Sequence, residues 1–362
     1  MNLSGFWGSA KRGLANALAN RPINSSTEVR LTRRCTQRCR QCNIYTKVTD
    51  PPTLSPEDFA VVAGRLREYG AYIGFVSGGE PTLVPGLEQI LLEAKRTFPV
   101  AVTLNTGLYL KTEMIEPIAR FVLGNNINIQ TSLDGLGRIG DNLRGVPEFS
   151  KTVLGHMHLI ARLKRELGSQ SLLYANIVLN HLNLDQIPEM IHLAAERGWE
   201  VSVGLYHTLT ASTREDEDLI PVPGPDLDRL IAHLLGHPRV LTLDRFLRGI
   251  KVYLQGDGFK KYCPYLASPV LSTRLLVMEN GDVHLCRGGP IGNILRQGLK
   301  EIFRGPAYAQ RLKEYRRCPG CWTSCYVQRL LLLHPRSLSE FLSNLRKAHR
   351  ARRGVHLSRR TS

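Results

Sequence analysis

Glu28-Val-Arg-Leu31-Thr-Arg-Arg-Cys35-Thr-Gln-Arg-Cys39-Arg-Gln-Cys42 is the stretch that decides the fold. An apolar-alternating strand, Glu28–Leu31, runs straight into a loop with three cysteines at gaps of three and two residues. That spacing lets one loop wrap three thiolates around a cube of iron and sulfide, which favours soft sulfur ligands. Three protein ligands on a four-iron cube leave one iron open to a further molecule. Zinc and buried structural thiols are the alternatives. A structural zinc wants a closed set of four ligands, and the next histidine is His156. Arg33, Arg34, Arg38 and Arg40 flank the loop, where they favour thiolates and offset a negative cluster.

Outward from this stretch the pattern of strand, loop and helix repeats. Expected strands are Glu28–Leu31, Ala71–Val76, Val100–Leu104, Ile127–Leu133, Leu172–Leu179 and Glu200–Leu205. The first intervening helix has a clear start, with Ser55 as N-cap, Pro56 next, then Glu57 and Asp58 at the positive end of the dipole. Leu87, Ile90, Leu91 and Ala94 give the second an apolar stripe, and the helix from Leu184 is expected to stop at Gly198. Six βα units imply an α/β fold with a parallel sheet and outer helices, either an open doubly wound sheet or most of a barrel. In both cases chemistry belongs at the C-terminal ends of the strands. Residues 206–258 read as the exit from this unit. Beyond them Leu275–Met278 and Val283–Leu285 flank Glu279-Asn280-Gly281-Asp282, a hairpin signal.

The chain has 362 residues, 43% of them apolar, enough for a large core. No apolar run approaches the ~18 residues of a membrane span, and no secretory signal pattern opens the chain. The expected location is cytoplasmic, with a peripheral membrane contact as an option. The net charge is +17, and eight Lys or Arg face the single Glu340 after Pro335. A solvated, partly disordered end is the plain reading of this tail; a contact with anionic lipid, nucleic acid or an acidic partner is the other. At the other end, Leu3, Phe6, Trp7, Ala10, Leu14, Ala17 and Leu18 fall at helical spacing within Asn2–Leu18. A helix packed on the body is preferred there over a surface anchor. The eight cysteines cluster at 35–42 and 318–325 with Cys263 and Cys286 between, which argues for metal over disulfides.

Cys35, Cys39 and Cys42 after the first strand, followed by Ser77-Gly78-Gly79-Glu80-Pro81 after the second, resemble the radical S-adenosylmethionine superfamily from about Val29 to Cys325. The resemblance implies a partial (β/α)6 TIM-like barrel and a four-iron, four-sulfur cluster on the three cysteines. It implies S-adenosylmethionine on the open iron and its reductive cleavage to methionine and a 5′-deoxyadenosyl radical, with an external one-electron reductant of flavodoxin or ferredoxin type. Gly78 and Gly79 would let backbone approach the cofactor, and Glu80 or the carbonyls beside it would accept from the methionine ammonium. By the same resemblance Ser132 and Arg144, in Ser132-Leu-Asp134-Gly135 and Asn142-Leu-Arg144-Gly145, would bind the methionine carboxylate, for which the planar guanidinium is suited. Asp134 would hold the loop or cap a helix, and Asn180 is a candidate for the ribose hydroxyls. Gln41 stands where many relatives carry an aromatic residue near the adenine, and Tyr45 lies past the cluster.

Met278–Cys286, Ile291–Ile294 and Cys318–Cys325 resemble the SPASM/Twitch extension, which carries auxiliary iron–sulfur clusters. Five cysteines suit one auxiliary four-iron, four-sulfur cluster, expected on Cys263 and Cys286 plus two of Cys318, Cys321 and Cys325. A zinc knuckle on Cys318, Cys321 and Cys325 is the alternative. The expected organisation is an amphipathic segment 1–27, a radical barrel 28–258, an auxiliary-cluster domain 259–330 and a basic tail 331–362.

With 27 residues before the first strand, no peptide-recognition domain is expected. The expected substrate is therefore a small molecule, a lipid or a lipid-linked compound, and the expected outcome a net oxidation through the auxiliary cluster. The alternatives are radical modification of a peptide or nucleic acid, and a non-catalytic iron–sulfur carrier. Nucleic acid is disfavoured, because no aromatic-rich basic stretch accompanies the charge.

Overall fold

The computed structural model describes residues 3–44, 51–208, 214–256, 263–267, 273–332 and 337–353. Tyr45 lies outside them. The chain opens with α1 (Leu3–Leu18) and enters β1 (Asn24–Arg30). The repeat then runs α2 (Pro56–Tyr69), β2 (Ile73–Ser77), α3 (Leu87–Thr97), β3 (Ala101–Asn105), α4 (Thr112–Gly124), β4 (Asn128–Ser132), α5 (Gly137–Arg144), α6 (Phe149–Glu166), β5 (Leu173–Leu179), α7 (Ile187–Glu196) and β6 (Glu200–Leu205). α2 starts as its sequence implies, with Ser55 Oγ accepting from the Asp58 N–H at 3.1 Å. β1 begins four residues ahead of the expected Glu28. Asn24-Ser-Ser-Thr27 carries no apolar alternation, yet Asn24, Ser26 and Thr27 are buried.

β1 to β6 pair in parallel in chain order, giving the partial barrel. Residues of one parity, among them Val29, Val76, Leu104, Ile129, Ile177 and Val203, pack outward on the helices in one continuous core. The opposite parity turns to the inner face.

The segment read as an exit contains two amphipathic helices, α8 (Pro225–Leu234) and α9 (Asp244–Leu254), which bury Leu227, Leu230, Ile231, Leu234, Phe246, Leu247 and Ile250. After α10 (Pro264–Ala267), the hairpin forms as β7 (Thr273–Val277) and β8 (Asp282–His284). Gly281 sits in its turn at φ +83°, a left-handed conformation suited to glycine. The hairpin belongs to the main sheet: β7 pairs in parallel with β1, and β8 and β9 (Gly292–Asn293) extend the edge. α11 (Leu299–Ile302), α12 (Pro306–Tyr315), α13 (Ser324–Leu332) and α14 (Leu338–Arg353) complete the chain. Residues 338–353 of the basic tail form a helix bonded to the body through Glu340, Asn344 and Lys347, in place of a solvated, partly disordered end; residues 354–362 lie outside the described residues.

Candidate active site

The cysteine loop is clamped from two sides. On one, the Gly79 N–H donates to Thr32 O at 2.6 Å and the Glu80 N–H to Arg34 O at 2.7 Å. A Cβ at Gly79 would stand 2.2 Å from Arg34 O, so only glycine permits this approach. On the other side, the Arg38 and Arg40 N–H groups donate to Arg144 O and Leu143 O at 2.9 and 3.0 Å. Gly145 follows in a left-handed conformation, φ +63°, with Arg38 O 2.5 Å from where its Cβ would be.

Glu80 is buried, and its carboxylate is committed to protein. Oε1 accepts from Thr106 Oγ1 and Thr82 Oγ1 at 2.8 and 2.7 Å and from the Thr82 N–H at 3.2 Å; Oε2 accepts from the Gly107 N–H at 2.8 Å. Burial raises its pKa against the pull of these donors. Glu80 therefore ties the loop after β2 to the loop after β3, and the backbone of Gly78 and Gly79 is what this segment turns to the cysteine loop.

Arg144 and Asp134 form a buried ion pair. Asp134 also accepts from Gln41 Nε2 at 2.8 Å and from the Val178 N–H at 2.7 Å, so one carboxylate joins the cysteine loop, Arg144 and β5. Arg144 Nη1 donates to Gln37 Oε1 at 3.3 Å and reaches Cys39 Sγ at 3.5 Å. Gln37, which the sequence reading passed over, is buried and donates to Gly107 O at 3.3 Å; a buried polar residue within a cysteine spacing was the available signal. Ser132 ends β4 and is half-buried. Asn180 is buried and turned into its own loop, donating to Val178 O at 2.9 Å and accepting from the Leu182 N–H at 3.0 Å.

The donor set fits a cluster and a zwitterionic ligand. None of the eight cysteines is in a disulfide. Burial pushes the Cys35 thiol up to about 12 and raises Cys39, with thiolate repulsion from Cys42 adding to both. Bare thiolates are costly here, and a cationic iron core offsets that cost. Arg144 Nε and Gln41 Oε1 are buried with no partner among the described residues, a donor and an acceptor beside the same three thiols.

Cys263, Cys286, Cys318 and Cys321 influence one another's charge. Burial raises Cys286 well above the ordinary thiol value, and charges on Cys321, Cys263 and Cys318 raise it further. Cys321 rises to about 11, again through burial first and then Cys263 and Cys318. Cys325 is exposed, and the groups it acts on are different: Arg274, Tyr174 and Tyr326. Four of the thiols thus act electrostatically on one another, while Cys325 acts on other groups; as placed, no three Cys, His, Asp or Glu side chains among the described residues form a set able to hold one metal ion.

The inner face of the sheet is polar. Asn105, Gln130 and Asn176 lie on it at β3, β4 and β5, all half-buried. Glu28 on β1 pairs with Arg274 of β7 and with Arg30 at 3.2 Å, and accepts from Ser77 Oγ at 2.8 Å. Arg274 lies over the Phe75 ring at 5.2 Å.

The profile of the radical SAM superfamily matches residues 29–220, and that of the SPASM iron–sulfur cluster-binding domain matches 269–326. Cys263 falls ahead of the second match. Among curated proteins, the sporulation killing factor maturation protein SkfB of Bacillus subtilis is 23% identical over 48% of this chain and 40% of its own length. Fe-coproporphyrin III synthase of Methanosarcina barkeri is 26% identical over 70% of this chain and 62% of its own. PqqA peptide cyclase of Streptomyces rochei is 26% identical over 78% and 75%. The chain therefore spans about two fifths to three quarters of the length of these relatives. In fold it is similar to Streptococcus suis SuiB bound to S-adenosylmethionine, with TM-score 0.63 and 18% identity over 84% of this chain and 71% of that one.

Proposed function

The chain belongs to the radical SAM superfamily and carries a SPASM domain, and from that premise we propose that it modifies a peptide. It uses S-adenosylmethionine and four-iron, four-sulfur clusters, which when bound supply a 5′-deoxyadenosyl radical for hydrogen abstraction. In this reading Cys35, Cys39 and Cys42 hold the first cluster. Arg144 and Ser132 take the methionine carboxylate, Gly78 and Gly79 give it room, and Asp134 with Gln37 fixes Arg144 in place. Cys263, Cys286, Cys318 and Cys321 form a closed set for the auxiliary cluster. A closed set leaves no iron open to substrate, which favours electron transfer and a net oxidation.

The observation that carries the peptide reading is the set of side-chain amides on the inner face: Asn105 and Gln130 in register on β3 and β4, and Asn176 on β5 opposite Ser132. Each offers a donor and an acceptor, the pairing a peptide backbone presents. The PqqA peptide cyclase relationship supports it, and the expected small-molecule or lipid-linked substrate gives way accordingly. Fe-coproporphyrin III synthase among the relatives keeps a tetrapyrrole as the second reading. The test is co-expression with short open reading frames from the same locus, followed by mass spectrometry. A peptide that changes mass only with intact Cys35, Cys39 and Cys42 supports the proposal. Unchanged peptides, with turnover of a coproporphyrin by the same preparation, would overturn it.

A further inference from the structure

Two helices of this chain are docked inside out. α14 turns Glu340, Asn344 and Lys347 toward the body. Glu340 accepts from the Arg245 N–H at 3.1 Å, Asn344 donates to Leu241 O at 2.6 Å, and Lys347 donates to His237 O and Val240 O at 3.0 and 2.8 Å. Its apolar residues Leu338, Phe341, Leu342 and Leu345, at i, i+3, i+4 and i+7, are 37–58% exposed. α1 repeats the arrangement. Ser9 and Asn16 are buried and donate to Ala71 O and Tyr69 O, both at 2.9 Å, while Trp7, Leu14 and Leu18 are 62–81% exposed. A surface helix normally buries its apolar stripe, so both stripes point to something that covers them.

Both helices lie at one end of the molecule. Tyr69 and Ala71 lead into β2. The Leu241 N–H donates to Val201 O at the start of β6, and Arg352 of α14 donates to Gln170 O just ahead of β5. In a parallel sheet these are all N-terminal strand ends, opposite the end that carries the cysteine loop. The faces are also cationic. Lys11 on α1, and Arg346, Arg350 and Arg353 on α14, stand among or beside the apolar side chains. α1 has no acidic residue, and the only one in α14, Glu340, is bonded inward. A second copy of this chain would bring like charge against like charge.

We propose that this end of the barrel is a membrane-docking surface for anionic phospholipid bilayers. Trp7, Leu14, Leu18, Phe341, Leu342 and Leu345 enter the interface and the basic side chains meet lipid phosphates. No helix among the described residues is long and apolar enough to cross a membrane, so the contact is peripheral.

The full chain is tested with vesicles of phosphatidylcholine alone and of phosphatidylcholine with a quarter phosphatidylglycerol. Trp199 and Trp322 are buried, so fluorescence changes on mixing report Trp7. Co-sedimentation with the anionic vesicles at low salt, a blue shift, and release by raised salt are expected. The exposed-site variant carrying Phe341→Glu and Leu342→Glu should bind at least tenfold more weakly, with unchanged melting temperature and iron content; Trp7→Glu should lose the blue shift. Absence of binding at low salt, or binding by both variants equal to wild type, would overturn the proposal. So would lipid-free self-association, or a stable acidic protein partner, that the same substitutions abolish.

Discussion

Arg144 and Asp134 pair out of reach of solvent, and Asp134 is the buried junction through which Gln41 and β5 also reach Arg144. Removing either partner leaves the other charge buried without its counter-ion, so both variants lose stability, and the cofactor effect is read on the folded protein. Arg144→Ala should weaken S-adenosylmethionine binding by about 1.5–3 kcal/mol, the size of a charge-assisted contact. Asp134→Ala leaves a buried guanidinium unpaired and should cost about 3–5 kcal/mol of folding stability. Calorimetric titration and chemical denaturation read the two. Equal affinity in wild type and Arg144→Ala would remove Arg144 from the cofactor site.

Gly79→Ala should spare the fold and disturb the cluster loop. Its Cβ meets backbone, Arg34 O, which must shift along with Cys35. The variant is expected to bind about half the iron of wild type, the auxiliary share alone. Full iron content would show that the loop tolerates the displacement.

The four-thiol group makes a sharper prediction about iron. Anaerobically reconstituted wild type should hold about eight iron atoms per chain. Cys286→Ala and Cys318→Ala should each fall to about four, and Cys325→Ala should keep about eight. Loss of iron in the Cys325 variant equal to that in the Cys318 variant would place Cys325 among the ligands.

The alternation of apolar residues made the six parallel strands readable, because one parity of each strand packs on helices. It failed at Asn24–Thr27, where inner-face polar residues and buried hydrogen bonds replace apolar ones. It also failed for α8, whose Leu227, Leu230, Ile231 and Leu234 stripe was hidden behind Pro221, Pro223 and Gly224. The cysteine loop and the Gly78–Gly79 step were legible because their spacing is local. The direction of the Glu80 carboxylate was not, since Thr106 and Gly107 decide it from another loop. The mutual influence of Cys263, Cys286, Cys318 and Cys321 likewise depends on how the segments before α10, after β8 and between α12 and α13 meet.

Glu28 links stability to pH. Burial opposes its charge, but Arg30, Arg274 and the Ser77 hydroxyl outweigh burial and lower its pKa from 4.5 to about 2. A carboxylate with a depressed folded pKa stabilises above its unfolded value and loses that contribution as pH falls through the folded one. The contribution, on the order of 3 kcal/mol, should be whole above about pH 4.5 and fade toward pH 2. The gap in unfolding free energy between wild type and Glu28→Gln should therefore narrow from pH 7 to pH 3. A constant gap would contradict the assignment.

The central claim, that Cys35, Cys39 and Cys42 with the groups clamped around them form the S-adenosylmethionine-cleaving site, is tested most directly by 5′-deoxyadenosine. Reconstituted protein is reduced, mixed with S-adenosylmethionine and quantified by chromatography, beside a variant with all three cysteines changed to alanine. The account predicts 5′-deoxyadenosine and methionine from wild type and none from the variant, which should still retain about half the iron. Equal 5′-deoxyadenosine from the two proteins, or none from fully loaded wild type, would contradict it.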